Sequence, residues 1–138
     1  PQHHQMLNGA IGGLVAITAE PLMPTPLAAI LIGSVGGIIV IFGTKLLFLF
    51  KIDDVVGAIP AHLFAGIWGT LVVPLTNPDA SFSGQLLGVI AINVFVFVVS
   101  FTIWSIMKTT IGIRLSKDAE KTGTDVFETG VIAYAIRD

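Results

Sequence analysis

The sequence predicts an all-α integral membrane protein, and two observations, its composition and its charge distribution, lead to this fold class. Of the 138 residues, 54% are hydrophobic and only 12% are charged, whereas soluble domains carry about 25% charged residues. No Lys or Arg occurs from Ile52 to Met107, a stretch long enough for apolar helices of about 20 residues to cross a bilayer. The net charge of −2 leaves no basic face for nucleic acid, so no nucleic-acid partner is expected.

Four apolar segments are predicted to cross the membrane, because proline or polar residues interrupt the apolar sequence between them. They are residues 6–19, 27–50, 57–76 and 85–107, and a helix could continue from the fourth to residue 113. The first segment is short for a span and ends at Glu20 and Pro21, whereas the second is long enough to cross with some tilt. The sequence therefore predicts a transmembrane region over residues 1–113 and a polar tail over residues 114–138.

The basic residues predict which side of the membrane each connection faces, since Lys and Arg are concentrated in cytoplasmic loops. Lys45 and Lys51 flank the connection between the second and third segments, and all the remaining basic residues follow the fourth. The other two connections carry Glu20 and Asp79 but no Lys or Arg. The C-terminal tail of this multi-pass protein is therefore expected in the cytoplasm.

Each apolar segment contains a pair of small residues four positions apart, a pattern that lets two helix backbones approach closely in lipid. The pairs are Gly9/Gly13, Gly33/Gly37, Ala65/Gly69 and Gly84/Gly88. A single pair can arise by chance in a glycine-rich chain. One pair in every segment predicts a tightly packed helix bundle.

His62 is the single ionisable residue in the apolar stretch of residues 57–76. At ~1.5 Å per residue it lies roughly 12 Å from Asp54, close to the middle of a bilayer core of ~30 Å. An ionisable side chain at that depth is costly and usually lines a path for ions or protons. The alternative is a structural histidine that forms a hydrogen bond to a neighbouring helix.

Asp53, Asp54 and Pro60 precede His62 and are expected to shape the start of its helix. Either carboxylate can cap the helix by accepting backbone N–H groups, which we prefer to direct ion binding, and a nearby lysine could pair with it. Pro60 lacks an N–H, so it frees the carbonyl of Val56 four residues earlier and tends to kink the axis. Such a kink fits both the wall of a pathway and an ordinary transmembrane proline.

The residue types that enzymes and metal sites require are missing from this pattern. The chain has no Cys, which excludes disulfides, thiolate catalysis and Cys-type metal sites. No acid/base pair, base-activated nucleophile or metal-ligand cluster is recognisable, so neither enzyme activity nor a cofactor is expected. His3 and His4, at the start of the chain, are not expected to bind metal, and Trp68 and Trp104 are expected to pack or to anchor at the membrane interface.

Several stretches of the sequence resemble the ammonium transporter (Amt/Mep/Rh) family. They are residues 8–19 (NGAIGGLVAITA), 51–54 (KIDD) and 57–71 around His62, followed by 112–115 (GIRL), 123–125 (GTD) and 128–130 (ETG), ending near Tyr134. The resemblance covers nearly the whole chain. Two positions depart from the family pattern: Pro60 stands where a small polar residue is common, and Pro74 stands where glycine is frequent.

The resemblance implies the last four transmembrane helices of an eleven-helix protomer, within a homotrimer that has one narrow apolar pore per protomer. It implies a pair of pore histidines that relay a proton while ammonia crosses, with His62 as the second member. The first histidine is expected upstream, because the chain lacks an initiator Met and looks like a C-terminal fragment. Ammonium is the implied substrate, with methylammonium as its analogue, and the bacterial inner (plasma) membrane is the expected location.

The tail signature of the family implies a regulatory element, in which Gly123, Asp125 and Tyr134 are the residues singled out. The tail is expected to dock on cytoplasmic loops such as residues 45–54, where a PII-class regulatory protein could act. An ammonium-sensing membrane protein of the same fold with little flux is the main alternative. A purely structural membrane segment is the third interpretation.

Overall fold

The computed structural model describes residues 2–20, 22 and 24–132, with side chains from residue 6 onward, and every regular element among them is helical. In chain order the elements are α1 (Gln2–Ile17), α2 (Pro26–Leu49), a π-helical turn (Ile59–Phe64), α3 (Ala65–Val72), a 3₁₀ turn (Val73–Leu75), α4 (Phe82–Thr110), α5 (Lys117–Thr122) and α6 (Thr124–Thr129). The predicted all-α fold class is confirmed. The chain divides into two units, Pro1–Val94 and Phe95–Asp138.

Two of the helices, α2 and α4, are long and apolar enough to cross a membrane. Their 24 and 29 residues correspond to about 36 Å and about 44 Å at ~1.5 Å per residue, against a bilayer core of ~30 Å. The segments Met6–Ile17 and Ile59–Leu75 are shorter apolar helices, and their crossing of the membrane stays a prediction. Helix α4 is the longest in the described part of the chain, and it continues from the first unit into the second.

Helix α2 begins and ends at recognisable sequence signals. The Thr25 hydroxyl accepts a hydrogen bond from the backbone N–H of Ala28, and Pro26 occupies the first turn, where its missing N–H costs nothing. At the other end Lys51 has a positive φ of 56°, and the N–H of Ile52 donates to the carbonyl of Leu47. This left-handed residue turns the chain away from the helix axis and towards the aspartates.

The first two small-residue pairs pack against each other where α1 and α2 cross. A methyl group added to Gly13 would lie 3.0 Å from the Gly33 carbonyl oxygen, and one added to Gly33 would lie 3.3 Å from that of Gly13. Further along, a methyl group added to Gly37 would lie 3.2 Å from the Gly9 carbonyl oxygen. The two backbones therefore approach closely enough that any side chain at these positions would crowd the partner helix.

The third pair joins α3 to the same crossing. Ala65 is fully buried, and a methyl group added to Gly69 would overlap the carbonyl oxygen of Ala16. Trp68 packs beside this contact, and its indole Nε1 donates to the Ile32 carbonyl oxygen at 3.1 Å. Trp68 is thus a packing residue in the first unit, which is one of the two roles predicted for it.

The prediction that Gly84 and Gly88 form a fourth packing pair is wrong within the described part of the chain. A methyl group added to Gly88 would meet no atom within 4 Å, and one added to Gly84 would meet only the Ser81 hydroxyl. A small-residue pair brings helices together only where a second backbone lies opposite, and none does so here. The close packing of the first unit therefore involves α1, α2 and α3.

The second unit, beyond α4, contains two short helices with defined ends. The Ser116 hydroxyl caps α5 by accepting the N–H of Ala119 at 3.2 Å. Arg114 donates to both carboxylate oxygens of Glu120, at 2.8 and 3.3 Å. These hydrogen bonds and the opposite charge lower the pKa of Glu120 and raise that of Arg114, so the pair persists until the pH falls through the lowered Glu120 value. Gly123, with a φ of 94°, separates α5 from α6.

We predict that Gly36→Leu destabilises the helix packing, whereas Gly88→Leu does not. A methyl group at Gly36 would lie 2.7 Å from both the Gly12 carbonyl oxygen and the Ala16 side chain, and overpacking of this kind costs about 1–3 kcal/mol or more. Gly88 faces open space. The thermal stability of the purified variants in detergent measures the difference, and equal losses in both would contradict the assigned packing.

Candidate functional site

His62 lies in the middle of the π-helical turn, and its exposed side chain opens onto a cavity of about 250 Å³. The imidazole forms no hydrogen bond with the described residues. The other residues that line the cavity come from the helices Ile59–Leu75 and α4, and they are Leu63, Gly66, Ile67, Thr70, Gln85, Gly88, Val89, Ile92 and Asn93. The wall is therefore mostly apolar, with His62 and three neutral polar side chains set into it.

The three neutral polar residues are Thr70, Gln85 and Asn93, and none of them was predicted as a site residue from the sequence. The Asn93 amide nitrogen donates to the Val89 carbonyl oxygen of its own helix at 2.7 Å. This hydrogen bond holds the amide group against the backbone of α4. Hydroxyl, amide and neutral imidazole groups each offer both a donor and an acceptor. The cavity can therefore bind a small polar solute or water through hydrogen bonds, without any fixed charge in its wall.

A signal for this face of α4 is present in the sequence. The cavity residues of α4 are Gln85 and the residues three, four, seven and eight positions after it, which are Gly88, Val89, Ile92 and Asn93. Residues at that spacing lie on one side of a helix. Gln85 and Asn93 are also the two amide side chains of α4, so a search for polar residues on a single face would have found them.

Pro60 is buried at the start of the π-helical turn, two residues before His62. The N–H of Ala65 donates to the Pro60 carbonyl, five residues earlier, which is the hydrogen bond of a π turn. The expectation that Pro60 frees the Val56 carbonyl is wrong, because Val56 lies in a turn before the helix and Gly57, with a φ of 73°, separates the two. The Val56 carbonyl instead accepts a hydrogen bond of 2.8 Å from the Asn8 side-chain nitrogen. The chain is thus irregular where it carries His62, and a hydrogen bond joins helix α1 to the turn that precedes this helix.

The two aspartates occupy different environments. Asp54 is half-buried, and its two carboxylate oxygens accept the backbone N–H groups of Ala58 and Ile59 at 2.9 and 2.8 Å. Asp53 is exposed and forms no hydrogen bond with another described residue. The pairing with a lysine that the sequence suggested is not present among the described residues, where Lys45 instead lies 5.6 Å from the Phe42 ring centre. Asp54 therefore caps the helix start alone.

Residues 1–134 match the sequence model of the Ammonium Transporter Family. The chain belongs to this family. It is 40% identical over 126 residues to the Synechocystis protein sll1017, whose name assigns it provisionally to the ammonium transporters. It is 34% identical over 147 residues to the ammonium transporter Amt2 of Archaeoglobus fulgidus and 33% identical over 144 residues to the ammonium transporter of Bacillus subtilis.

These alignments cover 90%, 92% and 93% of this chain, but only 28%, 31% and 36% of the respective relatives. The chain therefore spans about a third of the length of the ammonium transporters that it matches. Family membership confirms the resemblance found in the sequence. Together with the two apolar helices α2 and α4, it identifies a membrane protein.

The tail residues singled out by the family signature lie at the α5–α6 junction and beyond. Gly123 has φ 94° and ψ 135°, and a methyl group added there would lie 2.7 Å from an Asp125 carboxylate oxygen. Asp125 is half-buried in the first turn of α6. The apolar side chains of Phe127 and Val131 are exposed, whereas Tyr134 lies outside the described residues.

We predict that Asp54→Ala loosens the helix start before His62, whereas Asp53→Ala has little effect. Loss of a side-chain cap costs about 1 kcal/mol, and Asp54 accepts two N–H groups that would otherwise lack partners. Amide hydrogen exchange at Ala58 and Ile59 should accelerate by about fivefold in the first variant. Unchanged exchange in Asp54→Ala, or equal acceleration in Asp53→Ala, would contradict this role.

Proposed function

We propose that this chain contributes the segment of an ammonium-conducting pathway in which His62 is one member of a proton-relaying histidine pair. One observation carries the proposal: the His62 imidazole opens onto a mostly apolar cavity within a segment of a family whose relatives are named ammonium transporters. The relatives are named transporters rather than enzymes, which favours movement of the substrate over its chemical conversion.

The energy of moving a charge out of water favours the passage of neutral ammonia. Removing an ammonium ion from water into an apolar passage is far more costly than moving neutral ammonia. Neutral imidazole accepts a hydrogen bond or a proton at one nitrogen and donates from the other. A pair of histidines can therefore take up the proton that ammonium loses and pass it on. The other imidazole, the first of the pair, would come from outside residues 1–138, as the family resemblance implies.

The proposed assembly is a homotrimer of eleven-helix protomers in a bacterial inner membrane. Residues 1–113 would supply the last four membrane-spanning helices, and the tail would lie in the cytoplasm. The distribution of basic residues supports this orientation, since Lys45 and Lys51 lie at the connection between the second and third segments and Lys108 follows the fourth, all on one predicted side. The substrates would be ammonium or ammonia, and methylammonium as a transported analogue.

The tail would be a regulatory element that contacts the cytoplasmic loops, and a PII-class protein would act on the same face. Two features support this proposal. Gly123 separates two short helices with a backbone conformation that side chains rarely adopt. The helix that follows exposes Phe127, and Val131 is exposed beyond it, so this surface has apolar area that a partner could cover.

The decisive test of His62 is His62→Ala in the full-length transporter that carries this segment. We expect uptake of labelled methylammonium to fall to background at unchanged membrane abundance, because no other ionisable group lies in the apolar stretch. His4→Ala provides a matched control outside the predicted spans and should retain uptake. Normal uptake by His62→Ala would contradict the proposal, and ammonium binding without uptake by the unaltered protein would identify a sensor instead.

For the tail we predict that Gly123→Val lowers uptake, whereas Thr122→Val at the neighbouring exposed position does not. A β-branched residue cannot easily adopt the φ of 94° at this junction. Uptake per molecule in the membrane measures the effect, with abundance determined on the same samples. Truncation after Arg114 should also alter nitrogen-dependent control, and unchanged transport and control in that truncation would contradict a regulatory tail.

A further inference from the structure

We infer that Glu20 and Asn77 form a polar clasp that positions the His62 helix, which is the helical segment Ile59–Leu75, against helix α1. The Asn77 side-chain nitrogen donates to a Glu20 carboxylate oxygen at 2.8 Å, across 57 positions of sequence. Glu20 lies just after the end of α1, and Asn77 lies just after Leu75. The clasp therefore joins the ends of two helices that are far apart in the sequence.

Asn77 is held in place by its own neighbours in the chain. Its backbone N–H donates to the Val73 carbonyl oxygen at 2.9 Å, and its side-chain oxygen accepts the N–H of Asp79 at 2.9 Å. The amide oxygen is thus engaged, and the amide nitrogen meets the Glu20 carboxylate. Both partners are half-buried, and a hydrogen bond to a carboxylate is stronger when it is sheltered from water.

The clasp adds a direction that the apolar contact between the two helices lacks. A methyl group added to Gly69 would overlap the Ala16 carbonyl oxygen, so the backbones approach closely at this point. Packing of this kind in lipid depends on van der Waals contact, which tolerates small shifts along the helix axis. A hydrogen bond weakens steeply outside its usual length and angle. The clasp therefore fixes how far the His62 helix extends along α1.

A second long-range hydrogen bond ties α1 to the other end of the same segment. The Asn8 side-chain nitrogen donates to the Val56 carbonyl oxygen, just before the His62 helix begins. One polar contact would let the helix pivot about it, whereas contacts near both ends also fix its tilt. His62 and Thr70 on this helix line the cavity of about 250 Å³, so release of the clasp would move one wall of the cavity. The structural inference stands on the hydrogen bond, whereas its consequence for transport rests on the proposed function.

Reversing the polarity of the clasp tests the inference in the full-length transporter. Asn77→Asp keeps the size of the side chain and an oxygen for the N–H of Asp79, but it places a second carboxylate against Glu20. Two carboxylates at this distance repel each other unless one of them binds a proton. We expect Asn77→Asp to lower the maximal rate of methylammonium uptake per molecule in the membrane by about tenfold at neutral pH. Adding Glu20→Gln supplies an amide that can donate to the new carboxylate, and it should restore the rate to within about twofold.

Asp79→Asn is the matched control, added to Asn77→Asp in place of Glu20→Gln. It removes the same unit of negative charge, but the Asp79 side chain is exposed and forms no hydrogen bond with the described residues. This second double variant should therefore stay impaired. Recovery that is specific to Glu20→Gln supports the clasp, whereas equal recovery in both double variants, or recovery in neither, would overturn it.

The pH profile of uptake distinguishes the clasp from general damage to the fold. Glu20 and Asp79 are the acidic groups of the two connections, residues 18–26 and 76–81, which contain no Lys, Arg or His. Both connections are predicted on the outer side of the membrane, where the external pH reaches them. Uptake by Asn77→Asp, relative to the unaltered protein at each pH, should rise as the pH falls from about 7 to about 5, because one carboxylate takes up a proton. A ratio that stays equally low at about pH 5 would contradict the carboxylate contact.

The outcomes separate this inference from the proposed function. Normal uptake by Asn77→Asp at neutral pH would overturn the clasp, whatever His62→Ala does. Normal uptake by His62→Ala would contradict the proposed function, whatever the Asn77→Asp series gives. If Asn77→Asp lowers membrane abundance, the two double variants are compared by abundance, where recovery specific to Glu20→Gln supports the clasp and any other result overturns it.

Discussion

The need to satisfy every backbone polar group within the protein is the constraint on which this membrane segment depends, because a bilayer core offers no water as a substitute partner. Side chains satisfy part of this backbone from Asp54 to Ile59, where a connection enters the helix that carries His62. Asp54 takes two N–H groups and Asn8 takes one carbonyl. With these bonds made, an irregular turn at Pro60 can be held in one conformation.

Close packing of the helix backbones determines whether the Asn8 side chain can reach the Val56 carbonyl. Asn8 lies one residue before Gly9, at the crossing where α1 and α2 approach through Gly13 and Gly33. A bulkier crossing would move α1 away and carry the Asn8 amide out of reach of Val56, since hydrogen bonds weaken steeply beyond their usual length. The glycines therefore contribute to the site indirectly, by setting the distance between the helices that the hydrogen bond joins.

The sequence predicted the parts of this structure that depend on local pattern, including the all-α class, the membrane-crossing length of α2 and α4, and the capping potential of Asp54. It also selected His62 from its depth and isolation, although its role in conduction stays a prediction. The Asn8–Val56 hydrogen bond could not be predicted from the sequence, because its partners are 48 positions apart. Long-range polar contacts of this kind follow from the packing of helices, which periodicity does not specify.

The fourth glycine pair shows why one sequence pattern can have two physical meanings. In α1 and α2 the glycines lie where another backbone approaches, so the absent side chain allows contact. Gly88 instead lies on the cavity face of α4, between Gln85 and Asn93 and facing the space beside His62. There the absent side chain leaves volume between two polar groups. A pair of small residues can therefore indicate either close packing of two helices or an open cavity. For α4, the polar residues at the same helical spacing favour a cavity.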